Sequence, residues 1–230
     1  MIEYQRKNHY DADDLVEIIK ILRNPESGCP WDRVQTHTSI RMNFLEEAYE
    51  AVDALDCDDP VLMCEELGDV LMQVVFHTCI ETERDRFEWQ DVCDGVCRKL
   101  IFRHPNIFGS QPETEGINDW DALKNKEKGR TTLAQDLDSV PKAMPALMRA
   151  AKLQKRAQRR LGESPADGQA VQQAAQAAAQ ATPELAEQAI GRLLFETVRL
   201  ARAAGIDPEQ ALEKQNALFA AEAKQMPQPE

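Results

Sequence analysis

The chain has 230 residues, 43% hydrophobic and 29% charged, with a net charge of −13. That is enough apolar material for one large domain or two modest ones, and the acidity excludes wrapping duplex nucleic acid, which needs a cationic footprint. No apolar run reaches the roughly eighteen residues that would suggest a membrane span, and the opening Met1-Ile2-Glu3-Tyr4-Gln5-Arg6 lacks an apolar signal core, so a cytoplasmic protein is expected.

Aromatic residues make up only 6%, and 10 glycines and 12 prolines are too few for a disordered chain. The abundance of Ala, Leu, Glu, Gln and Lys favours helix. Asp11 is placed to cap an amphipathic helix carrying Leu15, Ile18, Ile19 and Leu22. Pro25, Gly28 and Pro30 mark a loop over 24–31. A second helix is predicted over about 38–55, a turn at Asp58-Asp59-Pro60, and a third helix up to about Glu83. The fourth, over about 88–102, ends at His104-Pro105. Residues 109–140 have few apolar repeats and read as a linker or arm. Helices are then predicted over about 146–161, 169–181 and 183–204, with a break at 162–168 and a last helix from Pro208. The six cysteines form no CxxC pair and are expected to be reduced thiols.

One internal similarity stands out. Glu66-Leu67-Gly68-Asp69-Val70-Leu71 and Ala189-Ile190-Gly191-Arg192-Leu193-Leu194 share an apolar and glycine frame. The chain reads as two related helical units, the second of which has lost its charges: one over 10–108, a linker over 109–140, and another over 141–224.

The chemistry lies in the first unit. Glu46, Glu47 and Glu50 fall on the second helix, and Glu65, Glu66 and Asp69 on the third. Residues three apart share a helical face, so Glu47 with Glu50 and Glu66 with Asp69 form two carboxylate pairs. The short turn between the helices folds them antiparallel and brings the pairs together. Apolar residues surround the Glu66–Asp69 stripe, so burial of the third helix is expected nearly all round. No Lys or Arg occurs between residues 42 and 83 to neutralise these acids. Buried carboxylates without bases are costly, and a hard divalent cation, Mg²⁺ or Mn²⁺, removes the cost. For Glu46 and Glu65 a solvated helix face explains the sequence equally well. A di-iron bundle needs Glu-x-x-His, and none of the four histidines follows that pattern. A P-loop needs Gly-Lys, a dipeptide the chain lacks.

The ordered segments Cys29-Pro30-Trp31-Asp32-Arg33-Val34-Gln35-Thr36-His37, Leu45-Glu46-Glu47-Ala48-Tyr49-Glu50 and Glu65-Glu66-Leu67-Gly68-Asp69 closely resemble the MazG family. Its hallmark, EExxE followed by ExxD, is intact. Arg103-His104-Pro105, Trp120 with Lys124, Val140-Pro141, Pro145-Ala146-Leu147 and the run from Lys152 to Ala157 also match. The resemblance implies an all-α fold of two four-helix-bundle-like units, obligate dimerisation as a homodimer or higher homo-oligomer, and Mg²⁺-dependent cleavage of nucleoside triphosphates to monophosphate and pyrophosphate. Carried over by position, Glu47, Glu50, Glu66 and Asp69 are the expected metal ligands. Glu46 or Glu47 is the expected acceptor of the attacking water's proton. Lys99, Arg103 and Lys124 are candidates for the phosphates, and Trp31 and His37 for the base. A packing role for Trp31 and a loop-bridging role for His37 stand beside these. His77 reads as a satisfied histidine behind the site rather than a ligand.

The second unit departs from the pattern. Gln172-Gln173-Ala174-Ala175-Gln176 stands where EExxE would recur, and Ala189 and Arg192 stand where ExxD would. That unit is expected to hold no metal. A non-catalytic helical module that binds nucleotide or protein is the competing reading of the whole chain.

Overall fold

The computed structural model describes residues 4–109, 120–162 and 168–226. Among these the regular structure is entirely helical, as expected. The chain forms two units, Met1–Glu115 and Gly116–Glu230.

In the first unit, α1 (Ala12–Leu22) opens with Asp11 as its N-cap. The Asp11 carboxylate accepts from the Asp13 and Asp14 amides, and the Asp14 side chain returns to the Asp11 amide, satisfying donors that a helix start leaves orphaned. α2 (Arg41–Cys57) begins three residues later than the periodicity suggests. The delay has a local cause: Thr36 and Ser39 exchange hydrogen bonds between hydroxyl and amide, and the Ser39 hydroxyl also donates to the Gln35 side chain. Such local bonds compete with helix. Asp58 ends α2 at φ 53°, and Asp59 caps α3 (Pro60–Thr82), which starts on Pro60. α4 (Trp89–Arg103) and α5 (Pro105–Phe108) complete the unit.

The core joins α1 to the second half of α3: Val16 and Ile19 pack with Val75, Phe76, Cys79 and Ile80, and Ile40 closes the cluster. The first half of α3 differs from the expectation of burial all round. Leu67 is 50% exposed and Val61 76%. The buried cluster that involves α1 begins only at Val75, so the earlier apolar residues lie beyond that core.

The second unit contains α6 (Trp120–Glu127), α7 (Leu133–Asp138), α8 (Ala146–Leu161), α9 (Gly168–Ala179), α10 (Pro183–Ala203) and α11 (Pro208–Ala223). α10 packs on α8, α9 and α11, and α7 packs on α8. Residues 120–140, which read as a linker or arm, carry α6 and α7; residues 110–119 lie outside the described residues. The stretch is organised by charge, which apolar periodicity does not register. Asp136 is fully buried and accepts from Arg159 at 2.8 Å, with Arg156 3.3 Å away. Of the predicted break at 162–168, residues 163–167 lie outside the described residues; Gly162 ends α8 at φ 86°, a conformation glycine adopts without penalty.

Candidate active site

Three of the expected carboxylates meet. Glu47 from α2 and Glu66 and Asp69 from α3 each offer an oxygen within 4.8 Å of the other two. The antiparallel turn at Asp58-Asp59 aligns α2 against α3, and the three-residue spacing puts Glu66 and Asp69 on one face. Each of the three residues is half-buried. Glu50 is exposed and stands outside the trio, yet its charge helps raise the pKa of both Glu47 and Glu66. Glu46 is exposed.

The electrostatics are those of acids without bases. Burial pushes the Glu47 carboxyl above its ordinary range, and Asp69, Glu50 and Glu46 push it further against a hydrogen bond from Gln73. Burial also raises Glu66, followed by Glu50, Asp69 and Glu65. A divalent cation with hard oxygen preference fits this donor set.

Behind the trio a polar stripe continues along α3. Asp69, Gln73, His77 and Glu81 recur every four residues and so lie along one face. Gln73 is 6% exposed and donates from Nε2 to Glu47 Oε1 at 3.4 Å. Its Oε1 is buried with no partner, a situation that costs ~1–3 kcal/mol. His77 stacks on His37, with ring centroids 5.0 Å apart and planes at 11°, and their Nδ1 atoms are 2.7 Å apart. His37 Nε2 is 2.6 Å from Glu81 Oε1. Burial, then the nearby His37, holds the His77 pKa down. The hydrogen bond to His37 leads in holding Glu81 low, and the charges of Arg86 and Arg84 support it against burial.

These contacts fix the segment before α2. The buried Arg23 guanidinium grips Glu83 through two bonds of 2.6 and 2.8 Å and donates to the Asp32 carbonyl at 2.7 Å. Its cation also lies over the Phe76 ring, 5.0 Å from the centroid. On the anchored segment Trp31 is 56% exposed. The Gln35 side chain is occupied, donating to the Trp31 carbonyl and accepting from Ser39.

The other expected substrate residues come from other elements. Lys99 is exposed on α4, and Arg103 is half-buried in its last turn. Lys124 belongs to the second unit, where its ammonium lies 5.9 Å from the centroid of the Trp120 ring. Gln73, Glu81 and Arg23 were not singled out from sequence. The four-residue recurrence from Asp69 to Glu81 is the signal that points to the first two; Arg23 sits at a helix end and carries no such signal.

In the second unit, Arg192 is 2.7 Å from Glu196, and Arg199 also pairs with that acid. Glu196 is 3% exposed.

Fold and centre together define an all-helical protein whose helical hairpin presents a cluster of three carboxylates. The profile of the MazG nucleotide pyrophosphohydrolase domain matches residues 35–108, which include the whole trio. Over 219 residues the chain is 37% identical to the nucleoside triphosphate pyrophosphohydrolase of Escherichia coli K12, covering 90% of this chain and 83% of that protein. It is 37% identical over 218 residues to the nucleoside triphosphate pyrophosphohydrolase/pyrophosphatase MazG of Thermotoga maritima, covering 93% and 84%. The uncharacterized protein YabN of Bacillus subtilis is 46% identical over 229 residues, covering 95% of this chain and 46% of that protein. The chain belongs to the MazG nucleotide pyrophosphohydrolase family.

Proposed function

We propose that this protein hydrolyses nucleoside triphosphates to the monophosphate and pyrophosphate, with Mg²⁺ as its metal and Mn²⁺ as a substitute. The observation that carries the reading is the convergence of Glu47, Glu66 and Asp69 within 4.8 Å on a hairpin without a local base. These three acids, with Glu50 beside them, would hold the ion. When bound, the ion supplies charge neutralisation for the triphosphate and activation of the attacking water.

The chain's own groups divide the remaining work. Glu46 or Glu47 is assigned to accept the proton of the attacking water. Lys99 and Arg103 of the first unit are the cations assigned to phosphate. Trp31, exposed on an anchored segment, is assigned to stacking on the base. His37 serves as a latch for that segment, since both its ring nitrogens are engaged.

The second unit is read as a degenerate copy that holds no metal. A second copy of the chain is the assigned cover for the exposed Val52, Leu55, Val61, Leu67 and Leu71 of α2 and α3, giving a homodimer or higher homo-oligomer. No helix among the described residues is long and apolar enough to cross a membrane. Six unpaired cysteines support a cytoplasmic setting.

The test is pyrophosphate release from a panel of nucleoside triphosphates, with and without Mg²⁺, by wild type and Glu66→Gln. Metal-dependent release that disappears in the variant is expected. Metal-independent turnover, or none with any nucleotide, contradicts the proposal.

A further inference from the structure

Among the described residues, Gln73 is the one buried side chain beside the trio whose bonding is incomplete within the protein. Its amide nitrogen donates to Glu47 Oε1 at 3.4 Å. That bond orients the amide, because the carbonyl end turned toward the same carboxylate would meet repulsion. The carbonyl oxygen is thereby left buried and without a partner. The residue is 6% exposed, one turn along α3 from Asp69, so bulk water does not readily relieve the deficit. Buried acceptors are ordinarily paired, and an orphan beside a site implies a donor that arrives with a ligand.

We infer that Gln73 is a positioning residue of the metal centre, with two tasks divided between the two ends of one amide. Nε2 holds Glu47 in its ligating orientation, and Oε1 accepts a hydrogen bond from the hydration shell of the bound divalent ion. The inference rests on the metal-site reading of Glu47, Glu66 and Asp69 proposed above. Mg²⁺ suits the second task because it gives up its waters reluctantly and keeps several of them as strong donors. The first task is that of the outer groups that orient metal-binding side chains elsewhere, whose removal weakens metal affinity by about 10–100-fold.

The second unit offers a contrast at the corresponding place. Continuing the frame that sets Gly68 beside Gly191 puts Gln73 beside Glu196 and Asp69 beside Arg192. Glu196 is as deeply buried, but it has Arg192 and Arg199 as partners. Both Glu196 oxygens have a cation beside them, whereas Gln73 Oε1 has no hydrogen bond; Asp136 Oδ1, also without one, at least has the Arg156 guanidinium 3.3 Å away.

Gln73→Met keeps the length of the side chain and removes both polar ends. It is to be compared with wild type by thermal denaturation without metal, by the rise in melting temperature on adding Mg²⁺, and by the Mg²⁺ concentration giving half-maximal pyrophosphate release. The expected result is an unchanged or higher metal-free melting temperature, a smaller Mg²⁺-induced rise, and a half-maximal concentration raised about tenfold or more. A merely structural glutamine would instead lower the metal-free melting temperature and leave the Mg²⁺ requirement alone; that result overturns the inference. A Mg²⁺ response equal to that of wild type overturns it too, while sparing the site itself. Absence of any Mg²⁺ response in wild type overturns the site reading and this inference with it.

Discussion

Helices α3 and α10 are built to one plan. Each starts on a proline, Pro60 and Pro183, each packs on the helix before it, and each carries glycine at the same place in a shared apolar frame. Their charges are handled differently at corresponding places, although Glu81 near the end of α3 also has Arg84 and Arg86 as partners. Residues 1–115 hold 25 Asp and Glu against 11 Lys and Arg, whereas residues 116–230 hold 15 against 16. In the second unit the buried acids are met by arginines: Asp136 by Arg156 and Arg159, Glu196 by Arg192 and Arg199. In the first, among the described residues, Glu47, Glu66 and Asp69 have no cation as partner; they stand among other acids, with Gln73 donating to Glu47. The comparison teaches what an acid is for. Paired with a guanidinium it supports the fold; left among its own kind on a packed hairpin it is, as we propose, the place for a cation from outside.

Four substitutions and a pH series can break or sharpen that contrast. The largest effect is expected from Asp136→Ala, which leaves Arg156 buried without its carboxylate and should cost about 3–5 kcal/mol of folding stability, measured by urea denaturation. Glu66→Gln should act on activity instead. Loss of a group that organises transition-state charge costs about 10²-fold or more in turnover, read in the pyrophosphate assay. Without metal the same variant should melt slightly higher than wild type, because folding raises the Glu66 pKa and such a carboxylate opposes folding at neutral pH.

A moderate effect is expected on acidification. Folding depresses the His77 pKa, so the unfolded chain gains a proton near pH 6.5 that the folded ring resists. Stability should therefore fall as pH drops below about 6.5, and His77→Phe should flatten that part of the melting-temperature profile. Glu81, whose pKa is lowered by folding, adds its own loss only as pH falls below about 4.3, the unfolded glutamate value. The smallest effect is expected from Arg192→Ala. Its side chain is 67% exposed and Glu196 keeps Arg199, so stability should change by less than about 1 kcal/mol and the Mg²⁺ dependence of turnover should be unaltered.

Much of this was legible in the residues because it rests on short-range rules. Asp11, Pro60, Pro183 and Pro208 mark helix starts by capping chemistry and by the proline's missing donor. The trio was legible because three-residue spacing and a tight turn fix which side chains converge. The features that escaped depend on partners distant in sequence. Residues 120–140 lack apolar repeats, yet Asp136 is buried by arginines some twenty positions further on. Arg23 reaches Glu83 across sixty residues, which no local pattern signals. Exposure of Leu67 and Val61 was likewise hidden, because periodicity shows that a face is apolar but not what covers it. Gln73 gave only its place on a four-residue stripe; the unpaired oxygen appears once the packing is known.

The most direct test of the central claim is calorimetric titration of Mn²⁺ into the nucleotide-free protein. Wild type should bind the ion, Glu47→Gln and Glu66→Gln should each lose that binding, and Glu196→Gln in the second unit should retain it. Equal binding by all four proteins, or loss confined to Glu196→Gln, would contradict the account.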